Sequence, residues 1–420
     1  MKTASVSDGS PTKSADRLGL LLLGCLMALP LLPEYMVGYV LIAWFSWRLY
    51  KRNLKDAFIH IPSSFLLILP YFIWYFWRWS ASDWNVEGGR ILAMHLQWVL
   101  FPILLYGLHQ DLLGAFQKLV HWLWVLVVLT AIALIVEGGI EWTLRDTPIL
   151  GFSDHPLFYI GLSDPLMHPG YLSMIVAVFM VVASAVPRPP WLTKWRFLIG
   201  QFLLLTFIVM LSSRMIMAAL LLTWPLTGFF QSFFNRKGLR ATGFLVLLLA
   251  LIYRLDLLPE PIDSRIRELS RIEYQINAQN LEDFSGVTIR LAEWKGALYA
   301  IKNEPLLGHG PGLGHFALMN AYDKLGFQVG RRFEFNAHNQ YLQTALDLGW
   351  PGTLLMILSV LAIAYPYGST RNRLVLWFLV FFLLSSITES TLLRQRGAVM
   401  LALYLPLFGF IAPKKVGNQA

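Results

Sequence analysis

The stretch LVHWLWVLVVLTAIALIVE, running from Leu119 to Glu137, decides the fold class. It holds no Asp, Glu, Lys or Arg before its last residue, and about 20 such residues in a helix cross the hydrocarbon core of a bilayer. Outward from it, comparable apolar runs fall at 18–33, 35–50, 60–77, 91–108, 169–187, 196–212, 214–231, 241–258, 350–366, 373–388 and 397–412. With the first, that makes about twelve candidate spans. Only Pro33-Glu34 separates the first two, and Ser212-Ser213-Arg214 splits another pair, so each of these pairs reads as a tight helical hairpin.

Composition agrees. The 420 residues are 56% hydrophobic and 14% charged, with a mean hydropathy of +0.55, against roughly 45–50% and about 25% in soluble domains. Too little polar surface is available for a soluble enzyme, a disordered scaffold or a nucleic-acid-binding domain of this length. A single cysteine, Cys25, leaves no intrachain disulfide. Leu22-Leu23-Gly24-Cys25 faintly suggests a lipoprotein cleavage box, but the apolar run continues past it and reads as an uncleaved first helix.

Orientation follows from the retention of Lys and Arg in short cytoplasmic loops. With the N-terminus inside, 18 basic residues of tails and short loops lie in the cytoplasm and six lie outside: Arg78, Arg90, Arg145, Arg214, Arg394 and Arg396. Both termini are then cytoplasmic and the span number is even. The expected organisation is a tail at 1–17, nine spans over 18–258, a large outer loop at 259–349, three spans over 350–412 and a tail at 413–420.

The outer loop carries the chemistry. Ile266, Leu269, Ile272 and Ile276 recur every three or four residues, which predicts an amphipathic helix over 264–280. A second helix is expected from Thr288 through Arg290 and Glu293 to Ile301, ended by Pro305. Gly308-His-Gly-Pro-Gly-Leu-Gly314 can be a structural turn or a phosphate-contacting loop, and the residues alone leave both open. Asn336 is read as the cap of a helix with His338 in its first turn, where the positive end of the helix favours the neutral imidazole that a general base requires. A histidine that merely satisfies polar neighbours is the plainer alternative.

Arginine placement is a second signal. Arg214 sits at the outer mouth of a span between apolar residues, a costly position unless it binds a counter-ion. Arg265 and Arg290 open the two loop helices, where a cation suits the dipole only if an anion is also present. Converging guanidinium groups would suit a phosphate or pyrophosphate; solvated surface charge is the other reading of any one of them. Glu389 lies at the outer end of the eleventh span and either balances an arginine or marks the water interface. His168 is expected to cap the sixth span. There is no Asp-x-Asp pair, no zinc-spaced Cys/His set and no Lys-Ser/Thr ending to the glycine run, so a phosphate site here works through arginine, without metal or cofactor.

Arg290-Leu-Ala-Glu-Trp294, Pro305-Leu-Leu-Gly308-His-Gly310-Pro-Gly312 and Asn336-Ala-His338-Asn339-Gln-Tyr-Leu342, followed by Gly349-Trp-Pro-Gly352, resemble the O-antigen ligase and polymerase superfamily. The plan of about twelve spans with one large late loop is similar too. The resemblance implies an all-α, GT-C-like inner-membrane glycosyltransferase with a periplasmic active site and an undecaprenyl-pyrophosphate-linked glycan as donor. In the ligase branch the acceptor is a sugar of lipid A-core. It further implies His338 as the essential histidine and Arg214, Arg265 and Arg290 as pyrophosphate-binding, Arg265 by position only, with Glu389, Asn339 and His168 as secondary candidates. An O-antigen polymerase or a protein O-oligosaccharyltransferase would share the donor chemistry. A transporter of an anionic lipid would instead place ionisable residues within the spans, whereas the notable charges here gather at the outer edge.

Overall fold

The computed structural model describes residues 17–33, 35–50, 63–105, 109–144, 155–164, 166–227, 276, 280–281, 284, 286–367 and 373–411. All regular secondary structure among them is helical. In chain order the α-helices are α1 (Arg17–Met27), α2 (Met36–Tyr50), α3 (Leu69–Ser80), α4 (Val86–His95), α5 (Gln97–Leu105), α6 (His109–Leu144), α7 (Tyr159–Ser163), α8 (Pro169–Ala185), α9 (Lys194–Met210) and α10 (Arg214–Thr223). Further along the chain come α11 (Gly286–Ile301), α12 (Gly314–Leu325), α13 (Gln328–Arg332), α14 (Gln340–Ala364), α15 (Arg373–Ser385), α16 (Gln395–Val399) and α17 (Leu405–Ile411), the last two joined by a π-helical turn at Met400–Tyr404.

Two stretches among the described residues, Lys118–Leu144 and Gln340–Ala364, are long and apolar enough to cross a membrane, and α8, α10 and α15 are among the shorter apolar helices. The expected span at 91–108 is broken at Leu96, where α4 ends and α5 begins. Ser212, with φ +50°, makes the turn between α9 and α10. The expected span at 241–258 and amphipathic helix at 264–280 fall outside the described residues, apart from Ile276 and Asn280.

Burial sorts the helices. α8 is apolar on every side and buried from Pro169 to Ala183, as a helix enclosed by others must be. Ser173 and Ala177, one turn apart and fully buried, provide the small side chains that let helices approach closely within a bundle. A second core joins α11 and α12 to the start of α14. There Ala292, Ala297 and Ala300 of α11 meet Leu318 and Tyr322 of α12 and Leu342, Ala345 and Leu346 of α14. Residues 292, 293, 296, 297 and 300 are the buried stripe of α11, at helical spacing. Glu293 stands on that apolar stripe, so its carboxylate is aimed inward.

α14 begins at Gln340, ten residues before the expected span, and breaks at Gly349, whose φ of +72° is non-helical. Pro351 follows in the first turn of the second half, where a missing N–H costs nothing. The break strands three carbonyls, and each finds a donor. His309 N reaches Leu346 O at 2.7 Å, Gly310 N reaches Asp347 O at 3.0 Å, and Trp74 Nε1 reaches Leu348 O at 3.0 Å. The buried Asp347 carboxylate accepts from Gly312 N and Gly314 N, each at 3.1 Å. The glycine run is therefore a structural turn that mends a broken helix, and these amides are not free to cradle a phosphate. Gly308 has φ +66°, and a Cβ there would stand 2.5 Å from Gly349 N, so the turn demands glycine.

Candidate active site

A cavity of about 270 Å³ opens where the N-terminus of α8, the segment preceding α14 and the turn between α15 and α16 meet; His168, Tyr171, Asn336, His338, Glu389, Ser390, Arg394 and Arg396 line it. His338 is not in the first turn of a helix, contrary to the sequence expectation. Asn339 is the cap, accepting from Tyr341 N at 2.9 Å and Leu342 N at 3.1 Å. Asn336 instead closes a tighter turn, its Oδ1 accepting from His338 N at 2.7 Å and from Ser390 Oγ at 3.1 Å. Both asparagines act as side-chain caps of backbone amides, and the one nearer the helix takes the helix end. The turn holds His338 at φ +38°, a left-handed conformation that non-glycine residues adopt mainly where surrounding contacts impose it. A carboxylate neighbour, rather than a helix dipole, supplies the electrostatics of its imidazole.

That neighbour is Glu293. Its Oε1 lies 2.9 Å from His338 Nδ1, within ion-pair distance though off the line of a hydrogen bond, and its Oε2 lies 3.1 Å from Arg290 Nη1. The second arm of Arg290, Nη2, meets Glu389 Oε1 at 3.1 Å. A continuous chain, Glu389–Arg290–Glu293–His338, thus crosses from the α15–α16 turn through α11 to the base of α14. Glu293 is 1% exposed and Arg290 20%; a buried carboxylate persists only with such partners. Burial works against the Arg290 charge, but Glu293 and Glu389 outweigh it and hold its pKa above the ordinary value. Arg290 is therefore held between two carboxylates, Glu293 and Glu389. Glu389 balances an arginine, one of its two sequence readings.

His168 caps α8, its Nδ1 accepting from Gly170 N at 3.2 Å. Burial lowers its pKa, opposed by Glu389 and reinforced by His338, Arg290 and Arg394. Tyr171 Oη donates to Ser390 O at 3.3 Å, tying α8 to the same turn.

Among the sequence candidates, the structure brings His338, His168 and Glu389 to the cavity and sets Arg290 directly behind Glu389. Asn339 acts on the helix end. Arg214, the first residue of α10, is partly buried and not a lining residue. Arg265 lies outside the described residues.

Sequence reading missed Glu293, Arg394 and Arg396. The two arginines were counted only as short-loop charges. Arg396 donates through Nη2 to Leu166 O at 3.4 Å, while its buried Nε has no hydrogen-bond partner among the described residues. Gln340 and the buried His95 hold their segment: Gln340 Oε1 accepts from Leu392 N at 2.7 Å, and His95 Nε2 lies 3.3 Å from Leu392 O. His95 is an ionisable residue inside an expected span, but both ring nitrogens have structural partners, the other being Tyr71 Oη at 2.8 Å.

No curated protein matches the chain. The family comparison covers 199–357, a range that contains Arg214, Arg290, Glu293 and His338 and stops short of Glu389, Arg394 and Arg396. Over residues 199–357 the chain is similar to the family model described as O-antigen ligase.

Proposed function

We propose that the protein transfers O-antigen glycan from undecaprenyl pyrophosphate to a sugar of lipid A-core, completing lipopolysaccharide at the periplasmic face of the inner membrane. The observation that carries this reading is the Glu293–His338 pair at a cavity that also holds Arg394 and Arg396; the family match supports it. The proposed setting is a multi-pass, GT-C-like protein of about twelve spans with both termini cytoplasmic, its late loop at 259–349 periplasmic.

In the proposed reaction the acceptor hydroxyl oxygen bonds to the anomeric carbon as the carbon–oxygen bond to the pyrophosphate breaks. His338 accepts the hydroxyl proton through Nε2, with Nδ1 turned toward the Glu293 carboxylate. The leaving pyrophosphate carries away the bonding pair. Arg394 and Arg396 face that growing charge, the term that usually contributes most to such catalysis. Arg214 and Arg265 remain proposed donor ligands, with Arg290 acting through its carboxylates. A single displacement inverts the anomeric centre, and arginine fills the role a metal would otherwise have.

The test supplies purified protein with undecaprenyl-pyrophosphate glycan and, separately, lipid A-core, a second donor molecule or a pilin-like peptide. Transfer to lipid A-core alone is the expected result. Transfer to the second donor or to the peptide would make the protein a polymerase or a protein oligosaccharyltransferase, and no transfer to any would revive the transporter reading.

A further inference from the structure

A second concave feature lies away from His338, between α6 and α9. It is a groove of about 360 Å³ walled by apolar side chains, with Val125, Val128 and Ile132 on α6 and Ile199 and Leu203 on α9. Its floor forms where Trp124 lies on Gly200 and donates through Nε1 to Gln201 Oε1 at 3.3 Å. α6 contains one of the two described stretches long enough to cross a membrane, so the groove runs along a spanning helix.

The two ends of the groove differ. At one, Trp191 and Arg196 are themselves lining residues, and Trp191 stacks on Trp122 with ring centroids 4.9 Å apart. Lys118, Arg188, Lys194 and Arg196 are all exposed around this end, and the segment 186–196 contains no Asp or Glu. Glu137 and Glu141 lie toward the other end of α6. Tryptophan pairs mark the water–bilayer interface, and basic residues just beyond it attract anionic lipid headgroups. An apolar channel, an aromatic girdle and a cationic rim in that order match one amphiphile: an acyl chain, a glycerol region and a phosphate.

We propose that the α6–α9 groove binds an anionic phospholipid, one acyl chain lying along Val125, Val128, Ile132 and Leu203 and the headgroup phosphate held by Arg196. Arg196 lines the groove itself, so its guanidinium offers a forked contact to a phosphate whose chain is already seated.

Native mass spectrometry of the full-length protein in detergent, titrated with phosphatidylglycerol or phosphatidylcholine of matched chains, tests this. The expected result is stronger retention of phosphatidylglycerol. Arg196→Gln should weaken its binding about fivefold, the effect of one basic residue at a lipid surface, and weaken phosphatidylcholine less, because the choline cation already offsets that lipid's phosphate. Val128→Trp, which fills the channel, should reduce both lipids while leaving the lipid-free melting temperature near that of the parent. Equal retention of the two lipids would overturn the proposal, as would undiminished phosphatidylglycerol binding by Arg196→Gln, an exposed position where the change does not threaten the fold.

Discussion

Glu293 Oε1 stands 2.9 Å from His338 Nδ1, bringing a carboxylate from the buried face of α11 to the imidazole that precedes α14. The two residues are 45 positions apart in the chain, and the core of α11, α12 and α14 is what joins them. Replacing Glu293 by Gln keeps the shape and removes the charge. Glycan transfer should fall on the order of 10- to 100-fold, as when a partner that orients a working group is lost. Glu293→Ala should also destabilise the protein by about 3–5 kcal/mol, because Arg290 loses the buried one of its two carboxylate partners. Equal melting temperatures of Glu293→Ala and the parent would show that the pair carries no structural weight.

Arg290 spans two carboxylates with separate nitrogens, which a lysine ammonium cannot reproduce. Arg290→Lys should therefore cost about 1.5–3 kcal/mol, the worth of one charged hydrogen bond. Thermal unfolding reads the cost. A double-mutant cycle with Glu389→Gln should show coupling, since both variants break the same 3.1 Å contact.

His168 predicts a pH dependence of stability. Its folded pKa is below 6.5 because burial disfavours the charged imidazolium. The unfolded chain then binds the proton more readily, so the stability it contributes is fully present above about 6.5 and is lost as the pH falls through the lower folded value. Melting temperatures measured from pH 7.5 downward should decline less for His168→Asn, since asparagine keeps the helix cap and does not titrate. Parallel curves for the two proteins would remove His168 from the account.

The glycine turn makes a comparative prediction. Gly308→Ala forces a left-handed residue against the α14 break and should cost at least roughly 1–2 kcal/mol. Gly139→Ala, inside α6 with nothing within 4 Å of the added carbon, should instead stabilise by about 0.5–1 kcal/mol. Unfolding temperatures of the two variants should move in opposite directions.

Local pattern carried the helices and the direction of the site. The spacing over 288–301 places α11 to within two residues of its start, and His168 caps α8 as its position before Pro169-Gly170 suggests. The run Asn336-Ala-His-Asn339 holds two equally good caps, and only the observed hydrogen bonds show that Asn339 takes the helix. Pairings between distant residues left no local trace. Arg290 and Glu389 are 99 positions apart, so an arginine that seemed poised for phosphate proved to be paired. Arg394 and Arg396 read as topology charges because their role depends on how the α15–α16 turn folds back to the cavity.

Catalysis by His338 is the central claim, and transfer from undecaprenyl-pyrophosphate glycan to lipid A-core by purified His338→Ala tests it most directly. The geometry predicts a fall in turnover of about 10²–10⁴-fold, the contribution of a positioned general base, with wild-type transfer persisting in EDTA. Unimpaired transfer by His338→Ala would contradict it.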